Sequence, residues 1–154
     1  MIVSFAGHSH VGGWDKMKGI VKEVLKTVLA ENEAVTCYLG GYGDFDVLCA
    51  AACRELKQEF SGMEVVYVTP YMTLSEQTKM KEMQSRGLYD RFLYPPIENT
   101  PLKFAISKRN EWMMTNADLV IVYVNRTYGG AYRSLKVAQS RKKRIVNVAD
   151  FLER

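Results

Sequence analysis

The residues able to do chemistry in this sequence gather in the turns that follow four short apolar runs. Gly7-His8-Ser9-His10 and then Gly12-Gly13 follow the first, and Gly40-Gly41-Tyr42-Gly43-Asp44 the second. Thr69-Pro70-Tyr71 follows the third, and Asn125-Arg126-Thr127-Tyr128-Gly129-Gly130 the fourth. Three of these turns set paired or clustered glycines ahead of a helical pattern. Glycine lets backbone N–H groups approach an anion, and a helix N-terminus adds partial positive charge, so the arrangement points to phosphate or nucleotide binding. Tight strand–helix turns use the same residues for geometry alone. The dinucleotide fingerprint is incomplete, because Gly41-Tyr42-Gly43 would need a third glycine where Asp46 stands. A P-loop of the form G-x-x-x-x-G-K-[ST] is absent, which disfavours triphosphate chemistry of that kind.

A second clue lies in Lys108-Arg109-Asn110. At helical spacing Arg109 shares a face with Ala105, Trp112 and Met113, and Asn110 shares one with Ile106 and Met113/Met114. A guanidinium so placed either pairs with an internal carboxylate (Asp44, Asp46 or Asp118) or points along a sheet rim toward an anion. His8 could reach a phosphate, act as acid or base, or close a loop hydrogen bond. Tyr42, Tyr71, Tyr128 and Tyr132 stand in or beside the same turns. Tyr42 and Tyr128 are the best placed of them to stack on a base, with loop anchoring as the alternative.

These residues need a scaffold, and hydrophobic patterning supplies it. Runs at 2–6, 35–39, 65–69, 119–124 and 145–148 are rich in Val, Ile, Tyr and Phe. Continuous apolarity implies burial on both faces, as in a parallel sheet sandwiched by helices. Helical periodicity fills 16–31 and 44–60, and further helices are expected over 101–115, with Thr100 as N-cap and Pro101 first in the helix, and over 130–141. The expected fold is therefore α/β: Rossmann-like, doubly wound, with a mostly parallel five-stranded sheet and helices on both faces. Residues 70–96 break the rhythm. Thr73 and Glu76 suggest a capping box opening a short helix that Gly87 ends, and 92–94 suggests a short edge strand. This insertion is either a lid or decoration. In such a sheet ligands bind beyond the carboxyl ends of the strands, where strand order reverses.

The chain of 154 residues, 47% hydrophobic and 25% charged, suits one soluble domain and excludes fibrous or disordered classes. No apolar run approaches the ~20 residues of a membrane span, and the N-terminus lacks a secretory pattern, so the expectation is a cytoplasmic protein with no membrane partner. A net charge of +4 suits an anionic ligand but is modest for a dedicated nucleic-acid binder, which argues against nucleic acid as a partner. The basic run at 141–144 reads as a solvated turn. Cys37, Cys49 and Cys53 read as buried small hydrophobes, and with only two histidines neither a metal nor any cofactor is expected.

Gly7-His8, the Gly40-Gly41 loop with Asp46, Lys108-Arg109-Asn110 ahead of Asn116-Ala117-Asp118, and Gly129-Gly130-Ala131 together resemble the SLOG superfamily. This is the Rossmann-like group named for the Smf DNA-processing proteins and the lonely-guy phosphoribohydrolases. The similarity runs over nearly the whole chain and is nearest to small bacterial and phage-type members. It implies a pocket for a nucleotide or nucleotide-derived ligand, built from the glycine loops and the helix arginine. Residues implied in it are Gly7, His8, Gly40, Gly41, Tyr42, Asp46, Arg109, Asn110, Tyr128, Gly129, Gly130 and Ser134. Asp46 matches a family position where its carboxylate would bind a ribose hydroxyl or cap the following helix.

Members of the group either cleave an N-glycosidic bond or read nucleotide-like signals. The enzymes carry P-G-G-x-G-T-x-x-E, whereas here Lys136 stands near the place of the glutamate. A ribosyl cation needs a carboxylate, which a lysine cannot supply. The expectation is thus a sensor or sequestering protein that binds a small nucleotide-derived molecule as a homodimer. A phosphoribohydrolase using Arg109 with His8, Asp44 or Asp46 is the alternative.

Overall fold

The computed structural model describes residues 1–152. Its strands are the apolar runs: β1 (Ile2–Gly7), β2 (Val35–Leu39), β3 (Met63–Val68), β5 (Leu119–Tyr123) and β6 (Arg144–Asn147), with the three-residue β4 (Arg91–Leu93) between β3 and β5 in sequence. All pair in parallel, in the order β4-β3-β2-β1-β5-β6. The sheet therefore has six strands rather than five, because the edge segment near 92–94 does join the ladder, through Val66↔Arg91 to Val68↔Leu93.

Five helices connect them: α1 (Trp14–Glu31), α2 (Asp44–Lys57), α3 (Leu74–Ser85), α4 (Ala105–Thr115) and α5 (Gly130–Ser140), and a short α6 (Ala149–Leu152) follows β6. Successive strand side chains alternate between two cores. Val3, Phe5, Cys37, Leu39, Ile121 and Tyr123 pack with α1 and α2 on one face. Ala6, Tyr38, Val66, Val120 and Val122 pack with Met113 and Met114 of α4 and Ala138 of α5 on the other. Cys37, Cys49 and Cys53 are buried free thiols in the first core. Among the described residues no helix is long and apolar enough to cross a membrane.

The entry to α4 departs from expectation. Pro101 has φ −56° and ψ 143°, an extended residue and not a helical one, and a 3-10 turn at Leu102–Phe104 intervenes before α4 starts at Ala105. At α3 the cap forms by half. Thr73 Oγ1 accepts the Glu76 N–H at 3.3 Å, and Gly87 sits at φ 66° past the end. The Glu76 carboxylate turns inward and accepts the hydroxyls of Thr69 at 2.7 Å and Tyr67 at 3.3 Å. Glu76 is the one buried residue of α3, so this helix is fastened to the sheet by a carboxylate where α1 and α2 use apolar stripes.

The chain builds outward from β1 through β2, β3 and β4, then returns to the other side of β1 for β5 and β6. Strand order thus reverses between β1 and β5, and their carboxyl ends, paired as Gly7↔Tyr123, mark the switch point.

Candidate functional site

At that switch point His8, directly after β1, accepts the backbone N–H of Asn125, two residues past the end of β5, through Nε2 at 3.0 Å. Accepting at Nε2 leaves the proton of the neutral ring on Nδ1, and Nδ1 is buried without a hydrogen-bond partner. Burial, and then the nearby charge of Arg126, pull the imidazole below its ordinary pKa and keep it neutral. The ring meets Tyr123 edge-on at 5.2 Å. His8 is thus a buried N–H donor with no acceptor among the described residues.

Beside it opens a cavity of about 250 Å³. Its floor comes from the end of β1 (Phe5, Ala6, Gly7, with His8 and Ser9), its β2 side from Gly40, Tyr42 and Asp46. Its other wall comes from Ile106, Arg109 and Asn110 of α4, and from Arg126, Gly130, Ala131 and Ser134 at the start of α5. A longer cleft of about 360 Å³ between α4 and α5 shares Ile106, Asn110, Gly130 and Ser134 with it.

Arg109 is 1% exposed, and its position explains the glycine before it in space. Nη1 donates to the carbonyls of Val68 at 2.7 Å and Gly40 at 3.1 Å, the two strand ends of β3 and β2, while Nε donates to Asn110 Oδ1 at 2.8 Å. The guanidinium also lies 5.2 Å from the centre of the Tyr42 ring, which Lys79 approaches at 4.6 Å. A Cβ on Gly40 would fall 2.9 Å from the guanidinium carbon. None of Asp44, Asp46 and Asp118 forms an ion pair with Arg109. Asp118 accepts the Ile2 N–H and Asp44 the Val11 N–H.

Asp46, in the first turn of α2, accepts the Tyr42 N–H through Oδ2 at 3.2 Å, which is the local cap-like role, while Oδ1 is buried with no partner. Burial raises its carboxyl to about 7, against the opposing pull of the Arg109 charge and the Tyr42 amide. The cavity lining therefore carries a neutral donor at His8, a carboxyl poised between two protonation states at Asp46, and two guanidinia.

The N-terminus of α5 completes it. Gly129, at φ 92°, caps this helix without any side-chain hydrogen bond. The first intrahelical bond is Arg133 N–H to Gly129 carbonyl, so the N–H groups of the preceding residues remain for an outside acceptor. A Cβ on Gly129 would lie 3.5 Å from Nη2 of Arg126.

Of the residues singled out in the sequence, Gly7, His8, Gly40, Tyr42, Asp46, Arg109, Asn110, Gly130 and Ser134 meet on this one lining. Gly41 does not. It holds φ 71° with its α-carbon face against Tyr67, where a Cβ would lie 2.3 Å from the ring. Gly129 supplies the turn and not the wall. Tyr128 is 67% exposed with Arg126 stacked 4.8 Å from its ring centre, turned away from the cavity. Asp44 ties the β1–α1 loop to α2, and its own N–H donates to the Ser9 carbonyl at 2.9 Å. Lys136 is exposed on α5 beside Tyr132, and no residue of 70–96 lines the cavity. Arg126 also lines the cavity, a position that the sequence marks only faintly. Its only signal was its place just past the strand that neighbours β1.

No protein-family model and no curated protein matches the chain. Solved structures do share its fold. The X-ray structure of DNA processing protein A (DprA) from Streptococcus pneumoniae superposes with a TM-score of 0.63 at 16% identity, over 93% of this chain and 48% of that one. DNA processing protein A from Helicobacter pylori, solved for its single-stranded DNA binding mode, gives 0.62 at 14%, over 94% and 63%. The chain thus spans about half to somewhat under two thirds of the length of these neighbours, and the likeness is one of fold.

One expectation is corrected by it. The argument against nucleic acid from a net charge of +4 fails, since a protein of this fold binds single-stranded DNA. The error was to use a whole-chain sum. Strand binding depends on where a few cations stand, which a net charge does not record.

Proposed function

We propose that the chain binds nucleotides at the carboxyl edge of its sheet, with the phosphate on the uncapped N-terminus of α5 between Arg109 and Arg126. The observation that carries this reading is that His8 and Asp46, each with a buried polar atom that has no hydrogen-bond partner among the described residues, line the same cavity as Arg109 and Arg126. Buried polar groups are hydrogen-bonded in all but a few cases, and an exception on a cavity wall points to a missing partner. A nucleotide supplies what the wall lacks: anionic oxygens for the guanidinia and the His8 N–H, and a hydroxyl for Asp46. Membership of the SLOG group, to which the glycine loops and Arg109 are similar, is part of the same proposal. The bound unit is either a free nucleotide or one residue of a single strand.

Calorimetric titration with adenosine 5′-monophosphate, adenosine and a short single-stranded DNA tests this. Binding of the phosphorylated forms, absent for adenosine and weakened at least tenfold by Arg126→Ala, is the expected result. Indifference to the phosphate would refute the site.

A hydrolytic reading rests on Asp46, whose carboxyl near 7 has the character of a general acid at neutral pH. Release of free adenine in the same incubations would establish it.

A further inference from the structure

The first cavity is small for a ligand site. At about 250 Å³ it lies below the roughly 300–1,000 Å³ of small-molecule sites. The adjoining cleft, at about 360 Å³, lies within that range and shares part of its lining with the cavity. The cleft is built by two facing helical stripes. Ile106, Ser107, Asn110 and Glu111 follow the i, i+1, i+4, i+5 face of α4, and Gly130, Arg133, Ser134 and Val137 the i, i+3, i+4, i+7 face of α5, with Lys103 at the mouth from the 3-10 turn.

The two spaces share a side chain that has no hydrogen-bond partner among the described residues. Ser134 is 4% exposed, lines both, and its hydroxyl makes no hydrogen bond to any described residue. Beyond it the cleft repeats the charge of the first cavity. Lys103 and Arg133 form no ion pair with a described residue, and a Cβ on Gly130 would lie 3.9 Å from Arg133 Nη2. Glu111 is the opposing charge, and Lys108 offsets it at 3.6 Å. Exposed Leu102 and Phe104 flank Lys103 in sequence and offer apolar surface there.

Building on the nucleotide reading, we propose that the ligand is two linked nucleotide units. One sits in the cavity at Arg109 and Arg126, the second lies in the α4–α5 cleft at Lys103 and Arg133, and Ser134 donates to the linkage between them. A dinucleotide joined by a pyrophosphate and two consecutive residues of a single strand share this chemistry.

The test compares three ligands by calorimetry: adenosine 5′-monophosphate, the 5′-phosphorylated diadenosine phosphodiester, and diadenosine diphosphate. At least one linked form should bind tenfold or more tighter than the monophosphate, and which one gains identifies the linkage. Lys103→Ser with Arg133→Ser, both at exposed positions, should cost the linked form most of that gain and the monophosphate far less. Ser107→Trp, which fills the cleft from α4, should do the same. Equal affinity for all three ligands, or equal loss across them in the variants, overturns the two-unit ligand and leaves the nucleotide site standing. Absence of any binding removes both.

Discussion

The Arg109 guanidinium and the Gly40 α-carbon are packed so closely that a single methyl on Gly40 would sit 2.9 Å from the guanidinium carbon. Gly40 is therefore glycine for the sake of an arginine. Had the residue served only to expose its N–H to a ligand, nothing would crowd its side-chain direction. Gly40→Ala should destabilise the protein by about 1–3 kcal/mol, the usual range for overpacking, since Arg109 is pinned by two carbonyls and cannot swing aside freely. Urea unfolding checks this, and a change under 0.5 kcal/mol would mean that Arg109 is not pinned.

Arg109 also closes the ends of β2 and β3. Arg109→Met would leave the Gly40 and Val68 carbonyls buried without a donor, at about 1–3 kcal/mol for each group. Removing the charge would also remove the main force holding the Asp46 carboxyl down, so its pKa should climb above 7. A carboxyl carbon NMR titration of the variant reads that directly. An unmoved Asp46 would break the link between them.

Asp46 makes stability depend on pH with a definite sign. Its carboxyl titrates near 7 in the fold against 3.8 ordinarily, so the native chain keeps a proton that the unfolded chain releases. Stability from this group is present below about pH 4 and is lost as pH rises to about 7. Asp46→Asn, neutral at every pH, should match the parent near pH 4 and exceed it at pH 8 by on the order of 4 kcal/mol. Parallel pH profiles for the two proteins would contradict the assignment.

Nucleotide affinity should follow the same proton. An anion close to Asp46 favours its neutral form, so binding is expected to take up a proton and to weaken as pH rises through about 7. His8 keeps its neutral Nδ1–H form across this range, since its pKa is lowered, and so does not cancel the trend. Calorimetry in two buffers of different ionisation heat counts the protons. Zero uptake at pH 7 sinks the prediction.

Glu76 holds α3 through Thr69 and Tyr67. Burial and the neighbouring Glu76 charge raise the Tyr67 hydroxyl well above its ordinary range, so it stays protonated, donating to Glu76 and accepting from Lys79 Nζ at 3.4 Å. Glu76→Ala would take the shared carboxylate from both hydroxyls, leaving Thr69 its Tyr71 backbone contacts and Tyr67 its contact with Lys79, and the amides of α3 should exchange faster while those of α1 hold. Hydrogen-exchange mass spectrometry distinguishes this from a uniform loss of stability.

The scaffold was legible because continuous apolar runs and helical stripes are strong signals, and the strand ends then located the rim. Arg109 was legible as a cation on an otherwise apolar helix face. What patterning could not give was side-chain direction. Tyr128 sits in the right turn yet faces outward over Arg126, and Glu76 completes the sequence of a capping box while its carboxylate goes to the interior. Gly40 and Gly41 were read as an anion cradle, and their nearest neighbours are the Arg109 and Tyr67 side chains, contacts made across the fold and invisible in the local sequence. The sixth strand was visible only as a short β-rich stretch, because three residues carry little periodicity.

The pairing of β1 with β5 joins residues such as Val3 and Leu119, so the central strand waits for most of the chain before its second edge is covered. During synthesis β2, β3 and β4 can dock on one side as they emerge, while the other edge of Ile2–Gly7 stays bare, apolar and able to template a foreign strand. That edge of the nascent protein therefore stays open to misassembly until β5 emerges.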